Sequence, residues 1–299
     1  MSGVVAVVVT HRRPAELRRL LDCLKNSQVP LLGAVVIDHA PDGSVREMAK
    51  GCLVLENSAN PGPGAGWANG ARAALEKWRD RVRALWYLDD DVVVPPDALG
   101  TLLDDMDRAG ADAIAPLLED DGGRLWAFPE PVEASQRQVI RTCLTPAAAA
   151  DALGMAPLPC CWATGACFLV GRAITEQVGF HRADFRILGE DLEYSMRIAG
   201  AGREVFTCRV VIPHLPPPAT DPQAARQADW RKFSALLQNL SYLSFHHPAS
   251  RHMWTYLPGN FRRFFRTHGW NAQVLRAAVA CFWRGAVQGR PAGFGELRR

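Results

Sequence analysis

The chain has 299 residues, 48% of them hydrophobic, and a formal net charge of +3. This length and composition are typical of a folded protein with a sizeable core, and they exclude a chain that is disordered throughout. A net charge this small also excludes a protein that binds polyanions over its whole surface, so any basic surface must come from a local cluster.

The cysteines and the apolar runs indicate the cellular compartment of the protein. Eight cysteines are scattered without a CxxC pair or a zinc-like spacing to histidine, which favours reduced thiols and predicts a cytoplasmic protein. The first residues lead directly into an apolar strand, so we expect no secretory signal. Three prolines and Asp151 interrupt the low-charge stretch 144–170, and no other run has the length of a membrane span.

Alternating strands and helices dominate the first part of the chain. Apolar runs rich in β-branched residues predict strands over 4–9, 34–37, 52–55, 84–88 and 111–115. Helices are expected from Pro14, over 67–79, and after Pro95-Pro96. This rhythm predicts an α/β fold with a mostly parallel, Rossmann-like sheet flanked by helices, in which ligands bind beyond the carboxyl ends of the strands.

The second part of the chain is less regular. A helix is expected over 147–153, a strand over 167–170, a helix over 190–199 and a strand over 204–212. We predict one domain over 1–214, with halves 1–95 and 96–214, and a helical accessory segment over 215–299. In that segment, helices are expected over 230–243 and 271–287.

Three consecutive carboxylates, Asp89, Asp90 and Asp91, follow the strand over 84–88. A divalent cation would relieve their repulsion, and carboxylate oxygens suit Mg²⁺ or Mn²⁺. Because residues two apart face the same way on an extended segment, we expect Asp89 and Asp91 to share the cation and Asp90 to face elsewhere. The alternative is a solvated turn in which aspartate serves as a turn residue.

Two further positions could carry chemistry. Glu190 and Asp191 precede an apolar helical pattern, where acidic residues ordinarily act as helix caps, but a positioned carboxylate there could also serve as a general base. Asp191 is the expected base. His214 closes a strand before three prolines and is either a surface histidine at a domain exit or a nitrogen ligand, which would favour Mn²⁺ over Mg²⁺.

The segment Asn60–Gly70 is rich in glycine and proline. It follows the third strand and has no acidic partner about 20 residues later, so it does not read as a dinucleotide-binding fingerprint. Its glycines would permit close approach of a ligand to the backbone near a helix N-terminus, and a plain flexible loop is the equal alternative.

Taken together, these features resemble the family-2 inverting glycosyltransferases of the GT-A fold over about Val4–His214. The segments that carry the resemblance occur in the family's order and are Val7–Pro14, Ile37–Ser44, Asn60–Gly70, Leu88–Val92 and Gly189–Arg197. Leu88–Val92 is similar to the family's DxD motif. The Asp triplet, the acidic pair and the late histidine are most similar to bacterial galactofuranosyltransferases, and rhamnosyltransferases remain open.

The resemblance implies roles for individual residues. It places the metal on Asp89, Asp91 and His214. It makes Asp191 the base with Glu190 beside it, and it puts both near the acceptor together with Trp162. The nucleotide-sugar contacts that it implies are Thr10, Arg12, Asp38, Asn60, Gly66, Asn69, Asp89 and Asp90.

The implied activity is inverting, metal-assisted transfer of a sugar from a nucleoside-diphosphate sugar to a hydroxyl of a glycan or lipid-linked acceptor. UDP-galactofuranose is the expected donor, and dTDP-rhamnose is the alternative. From other classes, a noncatalytic carbohydrate-binding protein on the same fold and a nucleotidyltransferase or phosphohydrolase that uses the Asp triplet also stay open.

The last part of the chain is strongly basic. Residues 248–299 hold nine Arg, no Lys and a single acidic residue, Glu296. These arginines alternate with five aromatic residues, Phe261, Phe264, Phe265, Trp270 and Trp283. This pattern predicts peripheral contact with an anionic membrane, on the inner face of the cell membrane. A solvated helical face or a homo-oligomer contact is the alternative. No motif accompanies the basic charge that would indicate a nucleic-acid partner.

Overall fold

The fold was analysed in a computed structural model, which describes residues 2–127, 130–154, 156–202, 204–216, 222–247, 253–254 and 256–292. The chain divides into two compact units. Unit 1 consists of Met1–Asn60, Gly66–Phe180 and Tyr194–Pro217. Unit 2 consists of Pro61–Ala65, His181–Glu193 and Pro218–Arg299. The domain boundary expected after residue 214 stays a prediction.

Ten strands form one sheet in unit 1, in the order β3-β2-β1-β4-β9-β5-β10-β8-β7, with β6 paired to β5. The strands are β1 (Gly3–Thr10), β2 (Gly33–Asp38), β3 (Leu53–Glu56), β4 (Val82–Asp89), β5 (Ala113–Glu119), β6 (Leu125–Ala127), β7 (Glu130–Pro131), β8 (Leu158–Trp162), β9 (Cys167–Gly171) and β10 (Glu204–Pro213).

The sheet is mostly parallel, as the sequence predicted. Strands β1 to β4 pair in parallel, and so do β5 and β10. Strand β9 runs antiparallel between β4 and β5, which the sequence did not predict. The five strands expected before residue 116 are all present, with ends shifted by one to four residues.

Helices cover both faces of this sheet. The helices that precede residue 202 are α1 (Pro14–Lys25), α2 (Ser44–Met48), α3 (Pro63–Trp78), α4 (Ala98–Ala109), α5 (Ala134–Thr142), α6 (Pro146–Leu153), α7 (Arg172–Val178) and α8 (Glu190–Ala201). On one face, Leu17 and Leu20 of α1 pack with Leu99 and Leu102 of α4. On the other, Trp67 of α3 packs with residues of α8. The central strands are buried on both faces, which explains their continuous apolar runs.

Three helices make up most of unit 2: α9 (Pro222–His246), α10 (Leu257–His268) and α11 (Ala272–Phe282), which continues into a π-helical turn over Trp283–Val287. Leu237 of α9, Phe264 and Phe265 of α10, and Val274 and Ala278 of α11 share one core. Helix α10 was not predicted. Among the described helices, none is both long and apolar enough to cross a membrane.

Candidate active site

The Asp triplet lies at the carboxyl end of β4, where the sequence placed it. Asp89 is the last residue of the strand, and its N–H donates to the carbonyl of Ala166 at 3.0 Å. Asp90 and Asp91 are each only 3% exposed. The solvated turn considered as the alternative is therefore excluded, because two of the three carboxylates are withdrawn from water.

Asp90 contacts the end of β1 and the loop that follows it. It accepts hydrogen bonds from the Thr10 hydroxyl at 2.7 Å and from the Arg13 guanidinium at 3.1 Å. Burial raises the pKa of Asp90 to about 6, although the Thr10 bond and the charge of Arg13 act in the opposite direction. Asp90 thus ties the triplet to the loop after β1.

Asp91 lies beside His214 because the backbone joins their segments. The N–H of Leu215 donates to the carbonyl of Asp91 at 2.8 Å, and Val92 bridges to His214. The Nε2 atom of His214 lies 3.2 Å from Oδ1 of Asp91. Burial alone would raise the pKa of Asp91, but its contacts with His214 and with Arg13 outweigh burial, and the pKa lies below its ordinary value.

Asp89, Asp91 and His214 form a cluster with the chemistry of a metal site. One ligand atom from each residue lies within 4.8 Å of the other two. The buried Nδ1 atom of His214 has no hydrogen-bond partner among the described residues. Arg13 contacts the carboxylates of Asp90 and Asp91, and the guanidinium of Arg19 donates to the backbone carbonyl of Asp91 at 3.4 Å. The three carboxylates outnumber these two guanidinium groups, so the local charge attracts a cation. Two carboxylates and an imidazole fit Mn²⁺ or Mg²⁺.

Two side chains at this cluster were not singled out from the sequence. Arg13 contacts both Asp90 and Asp91, with 2.5 Å to Oδ2 of Asp91, whereas the sequence reading chose its neighbour Arg12. Trp126 of β6 stacks on His214 with ring centroids 3.8 Å apart. Arg13 could have been identified from its position just after the end of a predicted strand. Trp126 could not, because it lies in a stretch without helical or strand periodicity.

The predicted nucleotide contacts in the loops after β1 and β2 come together in part. Thr10 and Asp38 are register partners at the ends of the two strands, and both are 2% exposed. Asp38 accepts a hydrogen bond from the N–H of Ala40 at 2.9 Å. Arg12 is exposed with a φ of +57°, a conformation that a non-glycine residue rarely adopts. Asn60 also has a positive φ, of +43°.

Helix α3 carries two more of the predicted contacts, of which Gly66 is buried and Asn69 is exposed. A Cβ added at Gly66 would lie 2.7 Å from Nε2 of His39 and 2.9 Å from the Val9 side chain, so only glycine fits against the strand ends. Asn69 is exposed, and its side chain accepts a hydrogen bond from Arg72 of the same helix at 3.2 Å. This contact keeps the Asn69 side chain along its own helix.

The predicted acceptor residues fall in both units. Glu190 and Asp191 begin α8 in unit 2; Glu190 is buried, and Asp191 accepts a hydrogen bond from the N–H of Leu192 at 2.8 Å. Trp162 ends β8 in unit 1 and pairs with Glu130 of β7. Their assignment as base and acceptor contacts stays a prediction.

Backbone geometry fixes the start of α8. Gly189 precedes the helix with a φ of +120°, and a Cβ there would lie 3.0 Å from that of Asn239. The Asn239 amide donates to the carbonyls of Leu188 at 2.6 Å and Ile187 at 3.1 Å. Helix α9 therefore holds the turn that presents the acidic pair.

Comparison with known proteins agrees with the predicted resemblance. Residues 5–151 match the family model described as "Glycosyl transferase family 2". Galactofuranosyltransferase GlfT1 of Mycobacterium tuberculosis, in two strains, is 36% identical over 138 residues. That alignment covers 43% of this chain and 44% of the relative, so the chain matches less than half the length of its curated relative.

Solved structures share the fold at low sequence identity. S. aureus TarS residues 1–349 in complex with UDP gives a TM-score of 0.62 at 12% identity, over 96% of this chain and 82% of the other. GalNAc-T7 with UDP, GalNAc and Mn²⁺ gives a TM-score of 0.58 at 14% identity, over 95% of this chain and 56% of the other. At such identity the likeness shows the fold alone, which is GT-A.

Proposed function

We propose that this chain, whose residues 5–151 match glycosyl transferase family 2 and whose fold is GT-A, transfers a sugar from a nucleoside-diphosphate sugar to an acceptor hydroxyl. The observation that carries the proposal is the cluster of Asp89, Asp91 and His214 at the carboxyl ends of the strands. Ligands of open α/β sheets bind at this edge, and the Thr10–Asp90 bond joins the cluster to the first loop there.

Asp89, Asp91 and His214 would hold a divalent cation. When bound, such a cation neutralises the charge that develops on the leaving diphosphate. The nitrogen ligand favours Mn²⁺ over Mg²⁺, and GalNAc-T7 with the same fold was solved with UDP and Mn²⁺. Arg13 stays paired with Asp90 and Asp91, so it orients the carboxylates and limits their mutual repulsion.

The proposed reaction is a single displacement. The acceptor oxygen forms a bond to the anomeric carbon while the bond from that carbon to the diphosphate oxygen breaks, which gives inversion. Asp191 takes the proton of the acceptor hydroxyl, and the nucleoside diphosphate leaves with the bonding electrons. Thr10, Arg12, Asp38, Asn60, Gly66 and Asn69 are assigned to the nucleotide sugar, and Glu190 and Trp162 to the acceptor.

UDP-galactofuranose is the proposed donor, and a glycan or lipid-linked saccharide is the proposed acceptor. The alignment to a galactofuranosyltransferase supports this donor. Because the alignment covers only 43% of this chain, dTDP-rhamnose is the second candidate. The scattered cysteines, without a CxxC pair, are compatible with a cytoplasmic location.

A donor panel tests the activity. Release of nucleoside diphosphate is measured from UDP-galactofuranose, UDP-galactopyranose and dTDP-rhamnose, with Mn²⁺, with Mg²⁺ and with EDTA. We expect acceptor-dependent release from one donor, lost in EDTA. Asp91→Asn removes a proposed ligand and should abolish release, whereas the matched change Asp104→Asn, at an exposed residue of α4, should leave release unchanged.

The products separate the other classes of protein. Pyrophosphate as product would identify a nucleotidyltransferase, and inorganic phosphate a phosphohydrolase. Sugar binding without turnover of any donor would identify a carbohydrate-binding protein. Each of these outcomes would overturn the proposed transfer.

A further inference from the structure

Helix α11 and the π-helical turn after it expose an apolar stripe made of Leu275, Val279, Trp283 and Val287. These residues follow one another at intervals of four, and each is more than half exposed. The opposite face of α11 packs into the core of unit 2 through Val274, Ala278 and Cys281. An amphipathic helix of a globular protein ordinarily places charged residues on its outer face. Here the outer face also carries Gln273 and Arg276, but the stripe beside them is apolar, which indicates a partner.

The neighbouring helix α10 supplies positive charge. Arg262, Arg263 and Arg266 line a cleft of about 590 Å³ together with Gly259 and Thr267, which we name the arginine cleft. Within 256–292 the chain has six arginines and no acidic residue. None of the ion pairs between described residues involves these six arginines. The cleft therefore offers guanidinium groups to anions, which phosphate oxygens match well.

An exposed tryptophan lies between the two helices. Trp270 is 76% exposed, and its indole stacks on Phe265 with ring centroids 4.3 Å apart. The stacking fixes the ring while leaving its outer face free. Tryptophan in such a position is typical of the interface between water and lipid headgroups. Phe264 and Phe265, which the sequence reading placed at the membrane, are instead buried in the core of unit 2.

We propose that the arginine cleft, Trp270 and the apolar stripe bind the surface of a membrane that contains anionic lipid. Charge complementarity favours this partner, because the arginines would contact phosphate headgroups while the stripe enters the boundary of the acyl chains. A second copy of the chain fits less well, since a symmetric contact through the cleft would bring Arg262, Arg263 and Arg266 against the same three arginines of the other copy. The surface lies in unit 2, and its binding can be measured independently of sugar transfer.

Flotation of the full chain with lipid vesicles tests the proposal. We expect binding to vesicles of phosphatidylcholine with one third phosphatidylglycerol, little binding to pure phosphatidylcholine, and weaker binding as salt is added. Arg262→Gln/Arg266→Gln should lower partitioning by about ten-fold or more. Leu275→Ser/Val279→Ser should also lower partitioning, because the apolar contact with the acyl chains is lost.

Matched controls use exposed residues of unit 1. Arg81→Gln/Arg124→Gln removes the same charge, and Val132→Ser/Leu144→Ser removes similar apolar surface; neither should change partitioning. Equal binding of the unmodified chain to both kinds of vesicle would overturn the proposal. So would unchanged binding of the arginine variant, which leaves the core intact. A dimer that depends on Leu275 and Val279, in a chain that binds no vesicles, would assign the stripe to a second copy.

Discussion

The indole ring of Trp126 stacks on the imidazole of His214, with centroids 3.8 Å apart and planes inclined by 18°. The two residues reach each other because β6 and β10 both pair with β5. The backbone N–H of His214 donates to the carbonyl of Glu119 at 2.7 Å, so the chain on either side of the ring is fixed. The side chain itself is oriented by Trp126 and by Asp91.

Trp126→Leu should therefore weaken metal binding. Without the stacked indole, the His214 ring samples more orientations, and loss of such supporting contacts typically costs ten-fold or more in metal affinity. We expect the Mn²⁺ dissociation constant to rise by about ten-fold, measured from free Mn²⁺ by electron paramagnetic resonance. Trp126→Phe should keep most of the affinity.

The matched control is Trp254→Leu, which removes an indole of similar exposure from unit 2. This variant should bind Mn²⁺ as the unmodified chain does. If Trp126→Leu also bound Mn²⁺ with unchanged affinity, the stack would have no part in orienting His214.

Asp90 should make stability depend on pH. Burial raises its pKa to about 6 in the folded protein, above its ordinary value of 3.8. The folded state then holds more protons than the unfolded state between these values, so stability should fall as pH rises from about 4 to about 6. We expect a contribution of about 2–3 kcal/mol, absent in Asp90→Asn. Urea unfolding in EDTA at a series of pH values measures it.

An Asp90→Asn variant with the same pH profile as the unmodified chain would contradict this prediction. It would place the pKa of Asp90 near its ordinary value and show that Thr10 and Arg13 offset the burial. The comparison rests on the change with pH, so it holds even if the substitution alters stability by a constant amount.

Asp191→Asn should abolish transfer and leave donor binding intact. The amide keeps the oxygen that accepts the Leu192 N–H bond, so the start of α8 is preserved, but it cannot take a proton. Loss of a general base lowers turnover by about 10²–10⁴-fold. Turnover is measured with saturating donor, and donor affinity by calorimetry. The control is Asp151→Asn, at an exposed residue of α6, which should not change turnover. An unchanged rate in Asp191→Asn would show that Asp191 is not the base.

Much of the fold of unit 1 could be predicted because the sequence patterns that mark its strands are local. The β-branched run before Thr10 and the polar residues that end β1, β2 and β4 mark strands without reference to distant contacts. Since the ends of parallel strands meet at one edge, the placement of Asp38 and the Asp triplet near the first loop followed from strand order. The position of His214 at a strand end left it open between a surface residue and a nitrogen ligand, and only the resemblance grouped it with the Asp triplet. The structure shows the backbone pairing that brings it there.

Other features depend on contacts that no sequence pattern reveals. Strand β9 joins the sheet between β4 and β5 although it comes after both in the chain. Helix α10 was missed because Pro258-Gly259 is typical of a turn, whereas here Pro258 occupies the first turn of the helix, where its missing N–H costs nothing. Trp126 has no local signal, since its role comes from a partner 88 residues later in the chain.

Gly285→Ala should destabilise unit 2, because the π-helical turn packs directly against α9 at Gly285. An added Cβ would lie 2.2 Å from the carbonyl oxygen of Gln238 and 2.8 Å from the Ser241 Cβ. Gln238 and Ser241 both belong to helix α9, and moving them aside would distort that helix. We therefore expect the unfolding free energy to fall by about 1–3 kcal/mol. Gly259→Ala in α10 meets no atom within 4 Å and should be neutral or stabilising. Equal melting temperatures for the two variants would exclude this close helix contact.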